Sequence, residues 1–140
     1  MKHLTLPNNI DTIPQLNKFI NGFCEEQGID MDVCMSLNLA IEEAVVNVMS
    51  YAYPSGTTGY VDIEAEADKN TVTFIISDTG IPFNPTEKAD VDITLSVEER
   101  PVGGLGIHLV RAIMDTVSYE YADHKNILTL KKELNKQEAL

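Results

Sequence analysis

The sequence predicts an α+β protein, a two-layer sandwich in which three helices cover one face of a mixed or antiparallel sheet. Two observations support this prediction. Alternating apolar and polar segments occur as two pairs, each joined by a short polar turn, and three other segments carry apolar residues at three- and four-residue spacing. A chain of 140 residues with 44% hydrophobic content suits a single core. We therefore expect one domain over residues 1–134 and a fraying tail over residues 135–140.

The first predicted elements are a strand and a helix. Lys2–Leu6 partly alternates and is followed by Pro7, which is typical of an edge strand. The helix is expected to begin at Asp11 or Thr12, since either side chain can cap it, and to end at Gly28.

The four remaining predicted strands form two hairpins. Gly59–Ala67 and Thr71–Ser77 make the first, and Val117–Tyr121 and Asn126–Leu130 make the second. The segment Ile81–Val102 between the hairpins holds three prolines, five acidic residues and little periodicity. A stretch of this length without regular structure is usually functional, and we interpret it as a lid over a crevice.

The composition excludes several classes of protein. The formal charge of -12, from 10 basic and 22 acidic residues, disfavours binding to nucleic acid or to an anionic membrane surface. No apolar stretch approaches the roughly 20 residues that span a bilayer, and Met1–Asn9 lacks the apolar segment of a secretion signal, so a cytoplasmic location is expected. Cys24 and Cys34 form no Cys-x-x-Cys pair and are expected to be reduced, packed thiols.

Glu43 and Asn47 lie on the longest predicted helix, which begins after Asp30 and ends before Pro54. Their four-residue spacing places both side chains on one ridge. A helical projection sets Asn47 about 80° and Glu43 about 120° from the centre of the apolar stripe, with Glu42 facing water on the other side. A carboxylate and a carboxamide together suit Mg²⁺ with positions left open for phosphate, although an ordinary wet helix face has the same pattern.

Asp78 follows Thr71–Ser77, the second and more central strand of the first hairpin, and precedes Thr79 and Gly80. A carboxylate at this strand end can accept the amino proton of an adenine, while glycine lets the backbone approach the ring. The same residues also fit a common Asp-x-Gly turn in which the side chain caps its own loop.

A glycine-rich turn opens the third predicted helix, which runs to about residue 115. Gly103, Gly104, Leu105 and Gly106 leave free N–H groups at a helix start, where an anion is favoured. A plain helix start after a flexible loop explains the turn equally well. Arg111, within the helix, could reach a terminal phosphate or form a surface salt bridge.

Taken in order, these three motifs resemble the N, G1 and G2 boxes of the Bergerat-type ATPases, which include sensor histidine kinases, type II topoisomerases and heat-shock chaperones. The segments NLAIEEAVVNVMSYAYP, ISDTGIPFNP and GGLGIHLVRAIMD are similar to those of the bacterial anti-sigma-factor serine kinases. Two positions depart from that pattern. Ser50 begins a stretch where relatives often carry a histidine, and Pro82 replaces a glycine, which is expected to stiffen the entrance to the lid.

The resemblance implies the Bergerat ATP-binding fold and a role for each matched residue. Asn47 would coordinate the Mg²⁺ of MgATP, Asp78 would bind the adenine amino group, and Gly80 would shape the adenine pocket. Glu43 would be the catalytic general base that accepts the proton of a serine hydroxyl. Backbone contacts to the phosphates would come from Gly103, Gly104, Leu105 and Gly106.

The expected function is therefore that of an ATP-dependent serine/threonine kinase acting as an anti-sigma factor. Its substrate would be an antagonist protein, and a sigma factor would be a second partner. The alternative is a non-catalytic module in which ATP gates the sequestration of a regulatory protein. Relatives of this kind often dimerise, and an exposed edge strand could serve that purpose here.

Overall fold

The computed structural model describes residues 1–54, 56–87 and 104–134. Over these residues, five strands form one sheet and three α-helices pack against it. The elements in chain order are β1 (Lys2–Pro7), α1 (Ile13–Gln27), α2 (Met31–Tyr51), β2 (Tyr60–Ala67), β3 (Thr71–Asp78), α3 (Gly104–Ile113), β4 (Thr116–Ala122) and β5 (Lys125–Glu133). Two single 3₁₀ turns lie at Ile10–Thr12 and Pro85–Glu87.

The strand order is β1-β2-β3-β5-β4, and every pair of neighbours is antiparallel. The α+β prediction is confirmed. Of the two predicted sheet types, mixed and antiparallel, the structure has the antiparallel one. β3 is central, and β1 and β4 are the two edges. The predicted edge position of the first strand is therefore confirmed as well.

One hydrophobic core lies between the sheet and the helices. On β3, Val72, Phe74 and Ile76 are fully buried while the alternate residues are only half-buried. The ring of Phe74 meets Phe23 of α1 edge to face, with centroids 5.7 Å apart. The alternation along β3 thus turns one face of this strand towards the helices.

The helix boundaries follow local backbone chemistry. α1 begins at Ile13 after Thr12, so the alternative start at Asp11 is wrong: Asp11 lies in the preceding 3₁₀ turn, where its N–H binds Asn9 Oδ1 at 2.9 Å. The helix ends at Gly28, whose φ of 67° is the left-handed conformation that glycine adopts without strain. Asp30 is the N-cap residue of α2, but its side chain makes no capping hydrogen bond.

The hairpin between β4 and β5 has longer strands and a shorter turn than the sequence predicts. Both strands extend beyond the predicted segments, and only Asp123 and His124 form the turn, with φ values of 54° and 63°. Two-residue turns of this kind match the twist of a hairpin but require left-handed backbone at both positions. Asp-His is an uncommon pair for that conformation, which is why the sequence suggested a longer connection.

Within the described ranges, α2 is the one helix whose length and apolar composition would suit a membrane span. Most of its apolar residues are at least partly buried where α2 packs against α1, α3 and two strands, whereas Met31, Met35 and Leu39 are exposed. Eight of its residues are buried in this way.

Candidate functional site

Asp78 is the last residue of β3, and its side chain is only 3% exposed. Its Oδ1 atom accepts hydrogen bonds from the Gly80 N–H at 2.8 Å and from Asn126 Nδ2 at 2.9 Å. Its Oδ2 atom is buried and has no partner. Burial raises the pKa of the Asp78 carboxyl, and the hydrogen bonds from Asn126 and Gly80 oppose that rise. The carboxylate is therefore held in a fixed orientation with one free acceptor.

Gly80 lies where the chain leaves β3 and touches the end of α2. A Cβ atom at this position would come within 2.2 Å of the Ala52 carbonyl oxygen. That same oxygen accepts a hydrogen bond from the Ile81 N–H at 2.8 Å. Any larger residue would break this contact, so the glycine is required by close approach of backbone to backbone.

Asn47 is 2% exposed, and neither atom of its amide has a hydrogen-bond partner. Asn47 is more deeply buried than its predicted position at the boundary of the apolar stripe indicates. Glu43 is half-buried, and so is Glu42, which the helical projection turned towards water.

The buried polar atoms that lack a hydrogen-bond partner belong to two residues. In the part of the chain that the structure describes, three buried side-chain nitrogen or oxygen atoms lack a partner, and they belong to Asn47 and Asp78. An unsatisfied buried polar atom costs roughly 1–3 kcal/mol, and native proteins keep few of them. Buried carboxylate and carboxamide atoms without partners are suited to bind a polar ligand, and an amide oxygen is a ligand type that Mg²⁺ accepts.

Asn126 is a site residue that the sequence analysis missed. It lies opposite Asp78 on β5 and is 4% exposed. Its Nδ2 atom donates to Asp78 Oδ1 and to the Ile81 carbonyl oxygen at 2.8 Å, and its Oδ1 atom accepts from the Phe83 N–H at 2.9 Å and from the Tyr119 hydroxyl. The only signal in the sequence is an asparagine at an inward-facing position of a strand. One amide thus joins the carboxylate to the segment after β3.

The start of the predicted lid is anchored on three sides. Besides the bond to Asn126, the Phe83 ring stacks on Tyr51 of α2 with centroids 5.2 Å apart and 24° between the planes. Arg111 of α3 donates to the Thr86 carbonyl oxygen through Nη2. Arg111 therefore contacts the start of the segment Ile81–Val102, whose residues 88–102 lie outside the described part of the chain.

The glycine motif is described in part. Gly103 lies outside the described residues, and α3 begins at Gly104. Leu105 and Gly106 therefore belong to the first turn of the helix, whose N–H groups lack acceptors within the helix. The predicted helix start is confirmed, whereas its contact with phosphate stays a prediction.

Tyr53 supports the site from the side of α2. It is buried, and its hydroxyl donates to the Tyr60 carbonyl oxygen at 2.7 Å and accepts from the Thr79 N–H at 3.1 Å. A Cβ atom on Gly59 would approach the Tyr53 ring to 2.2 Å. This tyrosine is therefore a packed structural residue that fixes the backbone next to Asp78.

Comparison with protein families gives a match over nearly the whole chain. The family described as "Histidine kinase-like ATPase domain" matches residues 6–132. The serine/threonine-protein kinase BtrW of Bordetella bronchiseptica is 30% identical over 95 residues, which cover 68% of this chain and 67% of that protein. The serine-protein kinase RsbW of Listeria monocytogenes is 24% identical over 138 residues, which cover 96% of this chain and 88% of that protein.

A solved structure has the same fold. The histidine kinase domain of a blue-light activated histidine kinase from Erythrobacter litoralis superposes with a TM-score of 0.57 at 14% identity. The match covers 96% of this chain and 64% of that one, so the kinase domain is longer. The likeness shows that the sheet and its three helices have the fold of that histidine kinase domain. Together with the family match, it confirms the resemblance noted in the sequence.

Proposed function

Because this chain belongs to the histidine kinase-like ATPase domain family, we propose that it is an ATP-dependent serine/threonine protein kinase. In this proposal it transfers the γ-phosphate of ATP to an antagonist protein and acts as an anti-sigma regulatory factor. The relatives named as serine-protein kinases support this choice over other activities of the family.

The observation that supports the proposal best is the placement of the unpartnered buried atoms. Asp78 Oδ2 and the amide of Asn47 are free in the ligand-free chain, and these residues occupy the positions that the resemblance assigns to adenine and Mg²⁺. A site built for a polar ligand leaves such atoms free until the ligand binds, and their cost is offset by binding.

In the proposed complex, Asp78 Oδ2 accepts the adenine amino group. Its other oxygen is saturated by Gly80 and Asn126, so the carboxylate cannot turn away. The site should therefore bind a base without that amino group more weakly, because the buried Asp78 oxygen would again lack a partner. Gly80 would shape the adenine pocket by letting the backbone after β3 pack against Ala52 at the end of α2.

Asn47 would hold Mg²⁺ through its amide oxygen, and the bound metal would neutralise charge on the phosphates. Backbone N–H groups at the start of α3 would bind phosphate oxygens; the residues concerned are Gly103, Gly104, Leu105 and Gly106. Glu43 lies one helical turn before Asn47 and is half-buried, so its carboxylate reaches solvent from the same ridge. In the proposed reaction it accepts the proton of the substrate hydroxyl as the oxygen attacks the γ-phosphorus and ADP leaves.

The proposed partners are the antagonist protein and a sigma factor, with the chain acting in the cytoplasm. Its acidic charge supports a basic protein surface as the sequestered partner and disfavours direct contact with nucleic acid. A homodimer through an edge strand stays a prediction.

Transfer of labelled phosphate tests the proposal. Proteins captured on the immobilised chain are incubated with it and γ-labelled MgATP, and the modified residue is located by mass spectrometry. Glu43→Gln should keep ATP binding and lose transfer by 100-fold or more, on the order of a missing general base. Glu42→Gln is the matched control, since it is the neighbouring half-buried glutamate on α2, and it should transfer normally.

Three outcomes decide between the alternatives. Label on a serine or threonine of a captured protein, lost in Glu43→Gln alone, supports the kinase. ATP binding without transfer by the native chain supports the non-catalytic binding module instead. Absence of MgATP binding by calorimetry would overturn both.

A further inference from the structure

Helices α1 and α2 are held in register by a ladder of asparagine side chains. Asn38 Nδ2 donates to Asn21 Oδ1 at 2.9 Å, and Asn17 Nδ2 donates to Asn38 Oδ1 at 3.1 Å. Cys24 lies one turn after Asn21 on α1, and Cys34 lies one turn before Asn38 on α2. Because the two helices run in opposite directions, this register sets the two cysteines opposite each other.

The contacts of the thiols agree with that register. Cys34 Sγ donates to Asn21 Oδ1 at 3.3 Å and accepts from Asn38 Nδ2 at 3.6 Å, so the Cys34 thiol contacts α1 one turn from Cys24. Both are free thiols, and both border one cavity of about 500 Å³. The pair is therefore assembled at the surface between α1 and α2.

The two thiols differ in access to solvent. Cys24 is 2% exposed, whereas Cys34 is half-buried. Burial and the neighbouring Cys34 raise the pKa of Cys24 to about 12, so Cys24 is protonated at neutral pH. Chemistry with a dissolved oxidant therefore begins at Cys34, with Cys24 placed to react second.

We propose that Cys24 and Cys34 form a reversible oxidation site, at which a peroxide converts the thiol pair into a disulfide that links α1 to α2. The Cys34 sulfur attacks the peroxide oxygen, giving a sulfenic acid and water. The Cys24 sulfur then attacks the sulfenic sulfur, its proton leaves with the hydroxyl as a second water, and the S–S bond forms. The two thiols lose two electrons in all, which the peroxide accepts, and a dithiol reverses the change.

This inference goes beyond the proposed kinase function and does not depend on it. Cys34 and Asn47 lie 13 residues apart on the same helix, which is about 20 Å at 1.5 Å per residue. Oxidation of the cysteine pair and binding of ATP can therefore be measured separately.

The test treats the full chain with hydrogen peroxide and follows its intact mass, its mobility on a non-reducing gel and its thermal unfolding. The expected product is a monomer that has lost the mass of two hydrogen atoms and recovers it with dithiothreitol. Its unfolding midpoint should rise by on the order of 5 °C, because the cross-link closes a short loop of the unfolded chain.

Two variants assign the steps. Cys34→Ser keeps a hydrogen-bonding group beside Asn21 and should show neither change. Cys24→Ala keeps the buried position apolar and should stop at a Cys34 sulfenic acid that dimedone traps. A disulfide-linked dimer, addition of two or three oxygen atoms without a cross-link, no reaction with peroxide, or a cross-linked monomer with a lowered midpoint would each overturn the proposal.

Discussion

Replacing Asp78 with asparagine should separate nucleotide binding from folding stability. The two side chains have the same shape, so the asparagine oxygen can keep both bonds that Oδ1 accepts, from Gly80 and Asn126. The new amide nitrogen then takes the position of Oδ2, which has no partner in the ligand-free chain. An adenine amino group arriving there meets a donor where it needs an acceptor.

The loss in affinity follows from that exchange. A hydrogen bond to a charged group contributes about 1.5–3 kcal/mol, which corresponds to roughly 10- to 100-fold in the dissociation constant. Calorimetric titration of both proteins with MgATP at neutral pH measures the difference. Asp68→Asn is the control, since Asp68 lies in the turn at the opposite end of β3, where its Oδ1 atom accepts from the N–H groups of Asn70 and Thr71. We expect the control to bind ATP like the native chain.

The stability should change in the opposite direction. Burial raises the pKa of Asp78 in the folded chain above its unfolded value, so the folded state binds this proton more tightly. The native chain therefore loses stability as the pH rises from the unfolded pKa, near 4, through the folded pKa. Asp78→Asn lacks this loss, so urea unfolding should find it at least as stable as the native chain at pH 7.

Two results would refute this reasoning. ATP affinity within twofold of the native value would mean that Asp78 does not bind the base. A loss of more than about 1 kcal/mol at pH 7 would mean that the charge itself holds Gly80 and Asn126, since charged acceptors make the stronger bonds.

Four further variants test the geometry, each by urea or thermal unfolding. Gly80→Ala should destabilise the folded chain by about 2–3 kcal/mol, because its Cβ would meet the Ala52 backbone. Gly22→Ala is the control: Gly22 lies within a helix with open space around it, so this substitution should stabilise the chain by about 0.5–1 kcal/mol. Equal effects of the two substitutions would contradict the close approach at Gly80. Asn47→Leu removes two unpartnered buried atoms and should stabilise the ligand-free chain by about 1–2 kcal/mol. The same substitution should abolish the rise in melting temperature that MgATP causes. A loss of stability would mean that the Asn47 amide has a partner. Asn-Gly in place of Asp123 and His124 relieves two left-handed positions and should stabilise by about 1 kcal/mol, an effect that a strain-free turn would not show.

The layers of the fold could be predicted because their signals are local. Alternation over residues 59–78 and helical spacing over residues 31–51 each reflect one face buried against one core, and the structure confirms both. The turn at Asp123 and His124 could not be predicted, because pairing of the long strands imposes a backbone that those residues do not favour alone.

The candidate site was predictable only where residue type carries the chemistry. Asp78 and Gly80 could be identified from a carboxylate and a glycine at a strand end. The full burial of Asn47 depends on the elements that pack against α2, which a projection of α2 alone does not contain. Asn126 escaped notice because one asparagine in an alternating strand has no local signature, and its importance arises from a partner 48 positions away.

That separation bears on the order in which the protein folds. β3 becomes a central strand only when β5 pairs with it, and this pairing must close a loop over residues 79–124, which contains α3 and β4. Contacts between distant residues form slowly, because the entropy of loop closure is lost before the contact forms. We expect the C-terminal hairpin to dock late during folding, after the helices and the β2–β3 hairpin. Until then Asp78 lies at a sheet edge without Asn126, so the proposed base pocket would be completed only after β5 has been synthesised.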